Sequence, residues 1–242
     1  MKKIFFLKVI FLSMLIMLMA LSAAIADQVV LYSQGNYSNG SGGEFTAKIA
    51  QTSTGPDLDL NWAYYADNTR DIGDYDPSFQ TFCVEYGEYF YSGVPYYVTI
   101  SDSAFNGGVG SGGDPISLGT AWLYYQFATG TLGNYNYGSD RSTSAGYLQD
   151  IIWYLEGEVG AITNPVANPF DDMLTTKFES IGNAKADNNG TYSVAVLNLY
   201  DSKGGLRQDQ LVLVPEPSTL LLLGAGLLGL GLLGRRKFKK YS

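Results

Sequence analysis

The sequence predicts an α+β fold, a β-sandwich or barrel with a helical insertion, on three observations. Short runs of alternating apolar and polar residues occupy the early and late parts of the chain. Between residues 118 and 186 the apolar positions recur with helical spacing instead. Clusters of Gly, Asn and Ser separate the runs, as in Gly35 to Gly43 and Asn106 to Pro115.

The elements follow in order. A strand is expected at 28–33, and a second where Phe45, Ala47 and Ile49 alternate with Thr46 and Lys48; further strands are expected at 58–65, 79–86 and 94–100. The period then changes. Apolar residues at 118, 121, 122 and 125 predict a helix over 118–129, and those at 148, 151, 152 and 155 predict one over 142–156. A third helix is expected at 170–186, with Asn168 as N-cap, Pro169 at the first position, and Phe170, Met173, Leu174, Phe178 and Ile181 facing inward. Strands at 191–200 and 208–214 close the domain. No internal period marks a repeat array.

Both termini stand apart from this domain. Lys2 and Lys3, the apolar stretch Val9 to Leu21 and the small-residue end Ala24-Ile25-Ala26 make residues 1–26 a secretory signal peptide, with cleavage before Asp27. At the other end, 215–242 begins with Pro215-Glu216-Pro217, continues as an uncharged apolar segment over 218–234, and ends in Arg235, Arg236, Lys237, Lys239 and Lys240. As a helix, 218–234 reaches about 26 Å at ~1.5 Å per residue, near the lower limit for a transmembrane span. The basic end at 235–240 places the C-terminus on the cytoplasmic side.

This tail resembles the PEP-CTERM sorting signal of Gram-negative bacteria that produce exopolysaccharide. The resemblance implies an exosortase partner that recognises Pro215, Glu216 and Pro217, with the apolar helix and basic residues as membrane-retention elements. It also implies a transient inner-membrane intermediate, then delivery to the cell surface or extracellular matrix, a biofilm setting.

The remaining residues, 27–214, are ample for one domain with its own core. Setting aside the eight basic residues and the single acid of the two ends, from totals of 15 and 23, leaves 7 against 22, a net charge of −15. Such a surface disfavours nucleic acid and anionic membranes as partners. The chain has no histidine, which excludes Ser-His-Asp and Cys-His catalysis and His-bearing metal sites. There is no phosphate-binding or dinucleotide fingerprint. No cofactor or metal is expected, and no enzymatic turnover.

Cys83 is the only cysteine, so it has no internal disulfide partner. Within Phe79 to Tyr86, period 2 puts Phe82, Val84 and Tyr86 on one face and Cys83 with Thr81 and Glu85 on the other. Gln149 falls at the border of the apolar stripe of the helix that begins near Ser142. Phe82-Cys83-Val84-Glu85, followed by Leu148-Gln149-Asp150-Ile151-Ile152-Trp153, resembles the paired motifs of bacterial thioester domains, with Ile151 where that family commonly has Ala. The resemblance implies that Cys83 and Gln149 join in an internal thioester with release of ammonia. An amine or hydroxyl on a surface protein or polysaccharide would then attack it, giving adhesion by a covalent bond.

Other readings compete. Trp62, Tyr64, Tyr65, Tyr89, Phe90, Tyr91, Tyr96, Tyr97, Tyr124 and Tyr125 would serve a passive structural or carbohydrate-binding component of an exopolysaccharide matrix. Glu85 with Glu88, or Glu156 with Glu158, are acid pairs of the kind glycosidases use. Asp57, Asp59 and Asn61, with Asp71, Asp74 and Asp76 beyond, alternate like calcium ligands, but Trp62 stands where a calcium loop requires Gly.

Overall fold

A computed structural model describes residues 28–33, 37, 42–50, 78–105, 113–162 and 168–214. The expected signal peptide, the strand expected at 58–65, the calcium candidates and the tail 215–242 lie outside the described residues. Among the described residues, no helix is long and apolar enough to cross a membrane.

The fold is α+β, with a mostly antiparallel sheet. Its strands are β1 (Gln28–Ser33), β2 (Phe45–Ala50), β3 (Ser78–Thr81), β4 (Pro95–Ser101), β7 (Val194–Tyr200) and β8 (Leu206–Leu213), in the order β3-β2-β1-β4-β7-β8. A two-residue ribbon pairs β5 (Ser103–Ala104) with β6 (Asp114–Pro115). The helices α1 (Leu118–Ala128), α2 (Arg141–Leu155), α3 (Pro169–Phe178) and α4 (Ile181–Ala184) form the insertion between β6 and β7.

Alternation fixes which face a strand turns inward where its other face is open. In β4, Tyr96 and Val98 are buried while Pro95, Tyr97 and Thr99 are exposed. The pattern fails in β7, where Val194 to Leu199 are all buried, so both of its faces are covered. Helix α1 starts at Ser117, whose hydroxyl accepts the Thr120 N–H. Asn168 caps α3 in the same way through Phe170 N–H, as its sequence predicts, and Pro169 occupies the first turn.

Three boundaries differ from expectation. The helix expected over 170–186 is two helices, because Glu179 adopts a left-handed φ of 69° and Ser180 then caps α4. The strand expected at 191–200 begins only at Val194, since the Asn188 side chain bonds both the N–H and the carbonyl of Tyr192 and holds that stretch in a turn. The strand expected at 79–86 ends at Thr81, because the chain there leaves β2 for β8. Val84 N–H donates to the Asp209 carbonyl and Leu211 N–H to the Phe82 carbonyl, both at 3.0 Å, and Cys83 bridges Gln210. These bonds join the two ends of the sheet.

Candidate functional site

The departure of residues 82–84 from β3 brings Cys83 under helix α2. Gln149 and Trp153, four residues apart on α2, share one helix face, and that face covers Cys83. Phe45, Cys83 and Trp153 form a small apolar cluster of their own, separate from the main core. Cys83 is fully buried and Gln149 is 1% exposed. The polar face expected for Thr81, Cys83 and Glu85 therefore does not face solvent, and Tyr86, expected to point inward, is half-exposed. Period 2 stops applying where the strand stops.

Cys83 and Gln149 are in direct contact. The thiol donates to Gln149 Oε1, with Sγ 3.1 Å away, so the sulfur lies beside the carboxamide carbon to which Oε1 is bonded. Two backbone N–H groups point at the same oxygen, Gly43 at 3.0 Å and Cys83 at 3.2 Å. Gln149 Nε2 donates to the Cys83 carbonyl at 2.8 Å, which fixes which end of the amide faces which group. Two convergent N–H donors on a carbonyl oxygen beside a sulfur have the arrangement of an oxyanion hole.

Burial pushes the Cys83 thiol well above its ordinary range. Its own backbone N–H, the Trp153 side chain and the Gly43 N–H pull the other way, and the Glu85 charge adds to the rise. The buried sulfur is thus held as thiol.

The Gly43 donor is held from the other side. Glu44, next in the chain, is bound by Arg141 at both carboxylate oxygens, Nε to Oε2 at 2.7 Å and Nη2 to Oε1 at 2.6 Å. Tyr135 adds its hydroxyl to Oε2 at 2.7 Å, and Arg141 stacks over the Tyr37 ring. Both charged side chains are almost completely buried. Gly42 has no room for a side chain: a Cβ there would lie 2.4 Å from Gln149 Cγ and 3.1 Å from Trp153.

β8, the strand that pairs with residues 82–84, ends at Leu213, and Val214 N–H still bonds the Ser193 carbonyl before Pro215-Glu216-Pro217 begins. Residues 213–237 match the PEP-CTERM protein-sorting motif. Comparison with curated proteins and with solved structures yields no match. The PEP-CTERM motif supports exosortase-dependent sorting to the cell surface, with exosortase as the processing partner of an exported protein. It includes Pro215, Glu216, Pro217, Arg235, Arg236 and Lys237, while Lys239 and Lys240 fall just beyond the match.

Other residues singled out by sequence lie elsewhere. Tyr96 and Tyr124 are core residues, each 1% exposed, whereas Tyr89 and Tyr91 stand out at 68% and 72%. Trp62, Tyr64 and Tyr65 lie outside the described residues. Glu156 accepts the Ser117 N–H and hydroxyl beneath α1, and Glu158 accepts the Tyr86 N–H. Glu85 accepts the Asp209 N–H. Gly42, Gly43 and Trp153 were not expected at the site. The Gly42-Gly43 pair, one residue before β2, is the signal that could have marked the two glycines, a sequence with room for close backbone approach.

The buried acids give the domain a pH dependence. Burial raises Glu156 to about 7 and Asp209 to about 7, and burial together with the charges of Asp209 and Glu88 raises Glu85 to about 9. Each holds its proton more tightly folded than unfolded. Their contribution is complete below the ordinary carboxyl range and is lost as pH rises through about 7 and then about 9. Thermal unfolding is expected about 5 °C or more higher at pH 5 than at pH 8.5. A Tm that stays level or rises over that interval would contradict the assignment.

Proposed function

We propose that the exported protein attaches covalently to a surface or matrix partner through an internal thioester between Cys83 and Gln149. The observation that carries this is the Cys83 thiol at 3.1 Å from Gln149 Oε1, with the Gly43 and Cys83 N–H groups on that same oxygen. In the reaction, Sγ attacks the Gln149 carboxamide carbon and the two N–H groups stabilise the oxyanion. The amide nitrogen takes the thiol proton and leaves as ammonia. A nucleophilic amine or hydroxyl on the partner later attacks the same carbon, the C–S bond breaks, and Cys83 regains a proton. The bond is made once, without turnover.

Intact mass tests this directly. The purified protein is expected to weigh about 17 Da less than its processed sequence, the mass of the lost ammonia. Cys83→Ala and Gln149→Ala should each remove the deficit. Methylamine should add to the parent at Gln149 and liberate one thiol. A full mass in the parent, with a free Cys83 thiol after denaturation, would refute the thioester. Tyr86, Tyr89 and Tyr91, exposed on the segment that follows Cys83, favour a second reading in that event, a non-covalent carbohydrate-binding component of the matrix.

The sorting half of the proposal has its own test. Replacing Pro215-Glu216-Pro217 by alanines should leave translocation across the inner membrane intact and abolish release to the surface. Equal surface yields from variant and parent would contradict recognition at those three residues.

A further inference from the structure

We infer that the indole N–H of Trp153 is the hydrogen-bond donor to the Cys83 sulfur when the thioester is made and opened, which makes Trp153 a catalytic residue of the proposed site. The inference rests on the thioester reading and adds to it the group that handles the leaving sulfur.

A thioester opened by an amine must expel sulfur with the electron pair of the broken C–S bond. In water that charge is solvated. Here the sulfur sits in an apolar cluster with Phe45 and Trp153, where an unassisted thiolate is costly. The Gly43 and Cys83 N–H groups also favour an ionised sulfur, but they are shared with the carbonyl oxygen and are drawn to it as charge develops there.

Trp153 supplies a donor that the carbonyl oxygen does not share. Its side chain is 6% exposed, and Nε1 has no hydrogen-bond partner among the described residues. A buried N–H without an acceptor costs about 1–3 kcal/mol, so its persistence asks for a physical reason. Its position supplies one: Trp153 lies one helical turn beyond Gln149 and packs on Cys83, and the indole, although it does not meet hydrogen-bond geometry to the resting thiol, already pulls the thiol's proton affinity down. In the resting geometry the thiol spends its own proton on Gln149 Oε1 and leaves the indole donor unpaired. Charge on the sulfur gives that donor its acceptor. Tyr86 sets the ring in place from the solvent side, edge-on with centroids 4.9 Å apart.

The step balances. The amine nitrogen attacks the Gln149 carbonyl carbon, the C–S electron pair moves to sulfur as the indole N–H hydrogen-bonds to it, and the proton shed by the amine ends on sulfur. In the forward direction the same donor assists ionisation of the thiol that attacks, and the thiol proton leaves with ammonia.

Two measurements on the purified protein test this. Trp153→Phe keeps an aromatic ring on Cys83 and removes the N–H. It is expected to slow methylamine opening of the thioester, followed by intact mass, by about 10- to 100-fold, the worth of one hydrogen bond to a charged group. Opening rates within threefold of the parent would overturn the inference. The second measurement does not depend on a Trp153 variant. In ¹⁵N-labelled parent protein, the Trp153 indole proton should move downfield when methylamine frees the sulfur, and the corresponding signal of Cys83→Ala should not respond to methylamine. An indole signal unmoved by opening would also overturn the inference. Absence of the mass deficit in the parent, by contrast, removes the thioester itself and is read before either measurement.

Discussion

Replacing Gly42 by alanine is expected to eliminate the mass deficit while leaving a folded domain. The new Cβ would lie 2.4 Å from Gln149 Cγ and 3.1 Å from both Gln149 Cβ and Trp153. Cγ is the middle of the glutamine side chain and not its free end, so relief requires moving the carboxamide as a whole. That carries the carbonyl carbon away from the sulfur and Oε1 away from its two N–H donors. Gly42 is absent from the glycines with left-handed φ, so the substitution adds no backbone strain of its own. Overpacking costs typically about 1–3 kcal/mol, which a domain of this size tolerates. The measurement is native intact mass beside a thermal melt. A folded Gly42→Ala protein that retains the full deficit would show that the contact does not govern the geometry of Gln149.

Replacing Arg141 by alanine is expected to produce the largest loss of stability of any single substitution at the site. Glu44 and Arg141 are buried together, joined by two hydrogen bonds, and removal of the guanidinium leaves a carboxylate inside the protein with Tyr135 as a neutral donor. Breaking a buried pair from one side costs about 3–5 kcal/mol. Tm should fall by about 10 °C or more. The Glu44→Gln/Arg141→Met double variant should recover part of this, because it leaves no unpaired charge behind. The same clamp holds the segment that carries the Gly43 N–H, so folded Arg141→Ala protein should also form the thioester more slowly. A Tm within about 2 °C of the parent, the effect of a surface substitution, would contradict the role given to the pair.

How much of this was legible in the sequence depended on range. Local chemistry was readable: Asn168 and Pro169 start α3 where the cap rule puts them, and α1 and α2 lie within one residue of their expected spans. Cys83 and Gln149 were legible only through resemblance, since the helical border position of Gln149 is ordinary for a polar residue. The rest depended on long-range pairing. Nothing in Phe82-Cys83-Val84 announces that it exchanges β2 for β8, and once it does, alternation no longer tells inside from outside. Glu44 and Arg141 are 97 residues apart, and neither carries a local sign of burial as a pair. Glu179 was missed because its left-handed conformation is one that glycine or asparagine more commonly adopts.

The joining of the sheet at residues 82–84 also sets a schedule. Cys83 takes its backbone neighbours from Asp209, Gln210 and Leu211, at the end of the domain and only a few residues before the sorting motif begins. A chain that crosses a membrane from its N-terminus exposes Cys83 long before β8 follows. Until that last strand docks, the segment bearing the sulfur lacks the partners that turn it beneath α2, and closing so long a loop is among the slower steps of folding. The Cys83–Gln149 contact is therefore an event of completion. Under the proposed mechanism, a chain halted before residue 209 would keep Cys83 as a free thiol, and the chemistry would become available only once β8, whose end leads into the sorting motif, has followed.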